Sequence, residues 1–325
     1  MNQCPENVQN ISKGELESLF AFCTQELHTD SQTLIASLLL NATNKRFFNE
    51  SVNEHIYLKN NEIPQIQLFS ILIEKFPFVK YSQRITNRAI IETIGQATEA
   101  TIIDIGIGQG AQMLNILELA KNLPTLKKLR IIGIEPFGEA LRKAEENITG
   151  FASTVGFDVE FIGIHDFAEN IDFSTFAGIS STIIINASLA LHHIQSAQKR
   201  MDVIRKIKSI HPAAFLLIEP NVNHFETDFP RRFINCYHHY FNIFKVIDRI
   251  DVSHNDKNAL KLFFGREIDD VIGKEESDRY EKHEKAERWI ERLEQSGFTL
   301  NKTILRSPVA SEAGVVIDYH PEGFV

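Results

Sequence analysis

Three glycines and an acid in one short stretch, Asp104-Ile105-Gly106-Ile107-Gly108-Gln109-Gly110, are the residues of this chain best suited to hold a small ligand. Glycine permits the tight turns and close backbone approach that a side chain forbids. The stretch follows a β-branched run and precedes an amphipathic one. It therefore sits where a strand hands over to a helix whose first N–H groups lack intrahelical partners. The spacing is G-x-G-x-G rather than the G-x-G-x-x-G of dinucleotide sites. An acid directly before the loop repels a pyrophosphate but suits a cationic ligand. S-adenosylmethionine (SAM), with S-adenosylhomocysteine as product, carries such a charge at its methionine end.

Further acids and amides recur where other strands are expected to end. Glu135 closes Ile131-Ile132-Gly133-Ile134 and is placed to accept hydrogen bonds from two ribose hydroxyls. Asp166 follows a third run, where it either meets an adenine amine or caps a helix. Asn186 ends a fourth. The expected cofactor set is Asp104, Gly106, Gly108, Gln109, Gly110, Glu135, Asp166 and Asn186. Methyl transfer is an in-line displacement, for which a protein supplies alignment and a base. His192 and His193 follow the fourth run and Glu219 ends the fifth, so these three are the catalytic candidates. The alternatives for them are a structural hydrogen bond for either histidine and loop-amide contacts for Glu219. Tyr81, Asn87, Asn223 and His224 are candidate substrate contacts. No metal is expected, because His192, His193 and Glu219 have no ligand-spaced companions.

The elements that must position these residues fall into two patterns. Up to about residue 97 the chain reads as helical, with segments at Glu15–Leu27, Ser31–Asn41, Ile66–Lys75 and Gln83–Ile94. From Thr101, apolar β-branched runs alternate with amphipathic stretches, as a parallel sheet with crossover helices requires. The runs are Thr101–Ile107, Leu129–Glu135, Val159–Ile164, Ser181–Asn186 and Ala214–Glu219, and the helices between them are Ala111–Leu123, Gly138–Val155 and Gln198–Ile210. Then come an aromatic-rich helix, Glu226–Ile247, and a charged one, Asp278–Gln295, read as having a solvated polar face. Phe298–Leu305 and Gly314–Tyr319 would complete seven strands. The predicted fold is α/β: a Rossmann-like seven-stranded core over 98–325 with an α-helical cap formed by 1–97 and partly by 225–296.

Composition sets outer limits. The 325 residues are 43% hydrophobic and 24% charged, an ordinary globular balance, and the net charge of −9 disfavours nucleic acid as a partner. Three cysteines without a CxxC spacing point away from a disulfide framework. No apolar run approaches the ~20 residues that span a bilayer. A cytoplasmic protein with a small-molecule partner, no membrane association and room for a homodimer is expected.

Several segments, in order, carry a family resemblance. Phe76–Tyr81 with Thr86–Ile90 resembles the lead-in to the VHIID motif of GRAS-domain proteins, and Thr101–Gly110 resembles the motif itself with its trailing Gln-Gly. Asn186 with Leu191-His192-His193, and Glu219–His224, are similar to family segments after strands four and five. Phe229–Asp248 is similar to the PFYRE region, and Arg266–Ile268 with Arg279–Glu284 to the RVER region. The closing SAW motif has no clear match. The resemblance implies a branch of the Rossmann-like SAM methyltransferase superfamily. Plant members act as transcriptional regulators and usually lose the loop glycines. This chain keeps them, which resembles bacterial members that act as methyltransferases on small molecules. A methyltransferase is therefore expected, the alternative being a non-catalytic ligand-binding or protein-interaction module.

Overall fold

A computed structural model describes residues 31–48, 65–179 and 181–300, together with Ser12, Gly14, Glu15 and Ser18. Apart from Glu15 and Ser18, the expected helix Glu15–Leu27 lies outside the described residues, as does the seventh expected strand. The chain divides into two compact units. One takes the described residues up to Pro77 and Asn221–Lys285; the other takes Phe78–Pro220 and the segment from Ala286.

The second unit is built on five parallel strands: β1 (Glu99–Ile105), β2 (Lys128–Ile134), β3 (Asp158–Ile164), β4 (Thr182–Ser188) and β5 (Ala214–Ile218). Their order is β3-β2-β1-β4-β5. Alternation sends Ile102, Ile131 and Ile184 to one face and Ile103, Ile132 and Ile185 to the other. Helices cover both faces, so the central strands are mostly apolar, with Thr101, Asp104 and Asn186 as buried polar exceptions. One face packs against Met113, Ile116 and Leu117 of a helix spanning Ala111–Ala120, and against Ala144 and Ile148 of another spanning Gly138–Ala152. Ala89, Ile90 and Ile94 of the helix Pro77–Ile94 join the same cluster. The other face packs against Val203, Ile204 and Ile207 of the helix Ala197–Ser209 and against Trp289 of the helix Ala286–Gln295. Five strands stand among the described residues, where seven were expected over 98–325. Phe298–Leu300 is irregular, and the rest of the expected sixth strand falls outside the described residues.

The first unit is helical, formed by Ser31–Phe48, Gln65–Lys75, Phe229–Arg249 and His254–Ile268, with a π-helical turn over Asp269–Gly273. Asp228 caps Phe229–Arg249 by accepting from the Arg231 N–H. Inside are Leu34, Ile35, Leu39, Tyr240, Phe244, Leu260 and Ile268, with Phe76 and Phe264 ring centroids 5.9 Å apart. The charged helix expected from Asp278 begins only at Ala286. Arg279, Glu281, Lys282, His283 and Glu284 are buried rather than solvated. Asp270 accounts for the change: its Oδ2 accepts the N–H groups of Tyr280 (2.8 Å) and Glu281 (2.7 Å), satisfying backbone donors that a helix would otherwise have claimed.

In chain order the helices are α1 (Ser31–Phe48), α2 (Gln65–Lys75), α3 (Pro77–Ile94), α4 (Ala111–Ala120), α5 (Gly138–Ala152), α6 (Ala197–Ser209), α7 (Phe229–Arg249), α8 (His254–Ile268) and α9 (Ala286–Gln295).

Candidate functional site

Strand order reverses between β1 and β4, and open α/β sheets form their ligand crevice at the carboxyl edge of such a pair. Register sets two predicted residues side by side there: Asp104 of β1 lies opposite Asn186 of β4. Asn186 Nδ2 donates to Asp104 Oδ1 at 2.7 Å, and both side chains are buried.

The three loop glycines serve three different needs. At Gly106, φ is +74° and a Cβ would lie 2.5 Å from the Ala190 Cβ, so the β1 loop passes the β4 loop too closely for any side chain. At Gly110, φ is +80° and a Cβ would crowd Ile148 and Ala144 of α5. Gly108 also has positive φ, +55°, yet nothing lies within 4 Å of its would-be Cβ. Open space beside a left-handed glycine leaves the backbone accessible to a ligand. Gln109 contributes its carbonyl, which accepts from Asn147 Nδ2 at 3.0 Å.

Glu135 is buried and reaches back to this loop. Its Oε2 accepts the Gly108 N–H at 2.9 Å and its Oε1 the Phe137 N–H at 3.1 Å. Burial raises the Glu135 pKa, the two N–H donors and His165 opposing it. Burial likewise lifts Asp104 to about 7, opposed by the Asn186 bond and reinforced by Glu135. Two acids with raised pKa values thus flank one half-buried turn of backbone with open space beside Gly108.

An amide chain continues from Asn186, and its middle member carries no sequence signal. Asn186 Nδ2 also lies 3.2 Å from Gln112 Oε1, and Gln112 Nε2 donates to Asn87 Oδ1 at 2.9 Å. Asn87, expected at the substrate, is instead a buried structural partner of Gln112. Gln112 sits inside α4 and belongs to no motif; the nearest hint is its place just beyond the loop. Tyr81, also on α3, is half-buried beside Lys80, whose Nζ is 5.9 Å from its ring.

Asp166 uses its carboxylate locally. Oδ1 accepts from the Phe167 N–H and from Asn170 Nδ2, both at 2.7 Å, and these bonds lower its pKa. It is not the helix cap that the sequence offered: the following 3-10 turn, Ala168–Asn170, has Phe167 at its N-cap and no side-chain cap bond.

The catalytic candidates are brought together and largely engaged with one another. Glu219 Oε2 lies 2.5 Å from His192 Nδ1, while Oε1 accepts the N–H groups of Leu191 (2.7 Å) and Ala190 (3.3 Å). Arg200 Nη2 holds the His192 carbonyl at 2.5 Å. Glu219 therefore staples the β4 loop, and His193 stands next to it, half-buried. Glu219→Ala should leave two backbone N–H groups and His192 without this acceptor. A loss of about 2–4 kcal/mol is expected in chemical denaturation, at ~1–3 kcal/mol per orphaned buried group; a loss under ~0.5 kcal/mol would contradict the staple.

His224 and Asn223, predicted near the substrate, belong to the helical unit. His224 is fully buried, with Nδ1 2.8 Å from His283 Nδ1 and its ring stacked on Tyr240. The Asn223 carbonyl accepts from Asn235. Burial lowers neighbouring His239 to about 3, so that imidazole is neutral at ordinary pH. Glu267, Glu281 and His283 bring donor atoms within 4.8 Å of one another; two of the three lie in the stretch that its composition marks as a solvated face.

Comparison with known proteins adds an independent line. The model of the GRAS domain family matches residues 9–324. The chain is 25% identical over 232 residues to DELLA protein RGL3 of Arabidopsis thaliana, covering 68% of this chain and 44% of that protein. It is 24% identical over 311 residues to Scarecrow-like protein 1 of Arabidopsis thaliana, covering 89% and 52%. The chain thus spans about half the length of the curated relatives it matches. The crystal structure of SCL7 of Oryza sativa superposes with a TM-score of 0.77 at 23% identity, over 94% of this chain and 85% of that one. No helix among the described residues is long and apolar enough to cross a membrane.

Proposed function

The chain belongs to the GRAS domain family, and from that premise we propose that it is a ligand-binding module whose sheet unit takes up S-adenosylmethionine at the β1 loop. The observation that carries the reading is Gly108: left-handed, with open space where a side chain would be, and tied by its N–H to Glu135. Asp104 would face the cationic methionine end, and Glu135 the ribose. Asn186 would keep Asp104 oriented. The adenosyl group would enter over Gly108, the one position of the three loop glycines where a Cβ meets nothing. Binding is favoured over turnover because two of the expected acceptor-side residues are otherwise employed: Glu219 staples a loop, and His224, expected at the substrate, lies in the core of the helical unit.

Titration calorimetry with SAM tests the reading. One site per chain is expected, and Glu135→Ala should weaken it about 10-fold or more, since it removes the ribose acceptor and frees the Gly108 N–H. Heat at millimolar SAM that is absent, or equal in wild type and variant, would refute it.

A second reading, methyl transfer to a small molecule, is favoured by one observation. The 2.5 Å contact between His192 and Glu219 is the arrangement in which a carboxylate orients a base. SAM, when bound, would supply the methyl group; His192 would take the acceptor's proton, with Glu219 holding its tautomer. Formation of S-adenosylhomocysteine with an amine, phenol or carboxylate acceptor, lost in His192→Gln, would promote this reading.

A further inference from the structure

Within the helical unit, three buried cations share a single half-exposed carboxylate. Arg279 and Arg232 are 0% and 1% exposed, and Lys282 is also buried, whereas the Glu276 side chain is 45% exposed. Arg279 grips Glu276 Oε2 through Nη2 and through Nε at 3.1 Å. Lys282 Nζ lies 3.0 Å from Oε1, and Arg232 Nη1 lies 3.6 Å from Oε2. Arg46 is adjacent: its Nη1 donates to the Lys274 carbonyl and its Nη2 meets Glu275.

Several features distinguish this cluster from an ordinary surface ion pair. Two guanidinium groups and an ammonium taken out of water are costly unless anions compensate them. Here all three cations reach the same carboxylate. Crowding is felt at Arg232, whose pKa is pushed down to about 10, by burial first and then by Arg279 and Arg46. The cations are also held in place from behind. Arg232 donates to the carbonyls of Val271 (3.1 Å) and Glu226 (2.8 Å), Arg279 to the His224 carbonyl (2.9 Å), and Lys282 to the Glu276 carbonyl (2.9 Å). Their positions thus rest on backbone contacts as well as on the carboxylate. Glu276 meanwhile lies on the irregular segment after the π-turn, with a solvent path along its own side chain.

We propose that Arg279, Lys282 and Arg232 form a phosphate-binding site in which the Glu276 carboxylate is a displaceable occupant. A phosphate group suits the cluster better than a second carboxylate. It brings up to two negative charges and enough oxygens to face the Arg279 fork, the Lys282 ammonium and Arg232 together. The ligand class this chemistry selects is inorganic phosphate or a phosphate ester, reaching the cations where the half-exposed Glu276 carboxylate now stands. Nothing in this inference depends on the SAM reading, which concerns the other unit.

The test compares wild type with Glu276→Gln, which keeps the shape and removes the charge. Melting temperatures are measured in chloride and in about 1–10 mM inorganic phosphate at equal ionic strength, with acetate as the carboxylate control. Glu276→Gln should melt several degrees below wild type in chloride and recover in phosphate but not in acetate. Wild type should respond only weakly, because its own carboxylate competes. The double variant Glu276→Gln with Arg279→Gln should lose the phosphate response. If the single variant cannot be purified folded in chloride, its recovery in phosphate alone supports the site, and failure in both overturns it. Equal melting of Glu276→Gln in phosphate and chloride, or an equal response from acetate, also overturns it.

Discussion

Replacing Asp104 by asparagine makes the ligand-free protein more stable at pH 8 and at the same time weakens its hold on SAM. The two effects share one cause. Asp104 is buried and its pKa stands at about 7 against the usual aspartate value of 3.8. Between those two values the folded chain holds one proton more than the unfolded chain. The stability that the protonated acid contributes is therefore fully present below about pH 4, is lost as pH rises through about 7, and is level above. The introduced asparagine would still accept the Asn186 amide through its Oδ1 and would have no charge to desolvate. A gain of about 2–4 kcal/mol at pH 8, shrinking towards zero at pH 4, is the expected scale for a shift of that size. Denaturation curves at pH 4, 6 and 8 read it. The cost appears in ligand: without a carboxylate facing the sulfonium and ammonium charges, SAM affinity should fall at least ~10-fold. Stability and binding moving in the same direction would contradict the role given to Asp104. A residue kept at the expense of stability is what a binding site leads one to expect.

Gly106→Ala should be the most damaging added methyl among the described glycines. Its Cβ would sit 2.5 Å from that of Ala190, and the backbone would remain left-handed at +74°. The conformation alone costs a non-glycine residue ~1–2 kcal/mol. The clash cannot relax cheaply, because Glu219 fastens the Ala190 and Leu191 N–H groups. A total of about 3 kcal/mol or more is expected from strain and overpacking together. Gly108→Ala provides the contrast. It bears a similar conformational penalty but meets nothing within 4 Å. Its stability loss should stay near ~1 kcal/mol while its SAM binding suffers. Urea denaturation of both variants separates strain from clash; indistinguishable losses would mean that the two loops do not constrain each other.

Much of the sheet unit is legible from residue order. The five β-branched runs map onto β1–β5 to within a few residues, since strands buried on both faces must be continuously apolar. The acid–glycine loop is legible for the same local reason: its residue types have few other uses. Residues whose roles depend on distant partners are not. Asn87 and Gln112 are ordinary helical amides until α3 and α4 place them 2.9 Å apart. Glu219 reads as polarising acid or as loop staple, and its bonds to Ala190, Leu191 and His192 are invisible in residue order. Arg279–Glu284 looks solvated by composition, yet it is buried because Asp270, Glu276 and several carbonyls satisfy it, which no periodicity reveals. Helix α8 lies within a stretch that shows no clear period. Its buried set of Leu260, Phe263, Phe264 and Ile268 is interrupted by buried Lys261 and Glu267, which blurs an amphipathic signature.

The most direct test of the account is electron density from a crystal of the chain grown with saturating S-adenosylhomocysteine. Density for the adenosyl group over Gly108, with its ribose hydroxyls on Glu135 and the methionine amine towards Asp104, is the predicted result. A β1 loop without ligand density at saturation, or ligand bound away from Gly108 and Glu135, would contradict it.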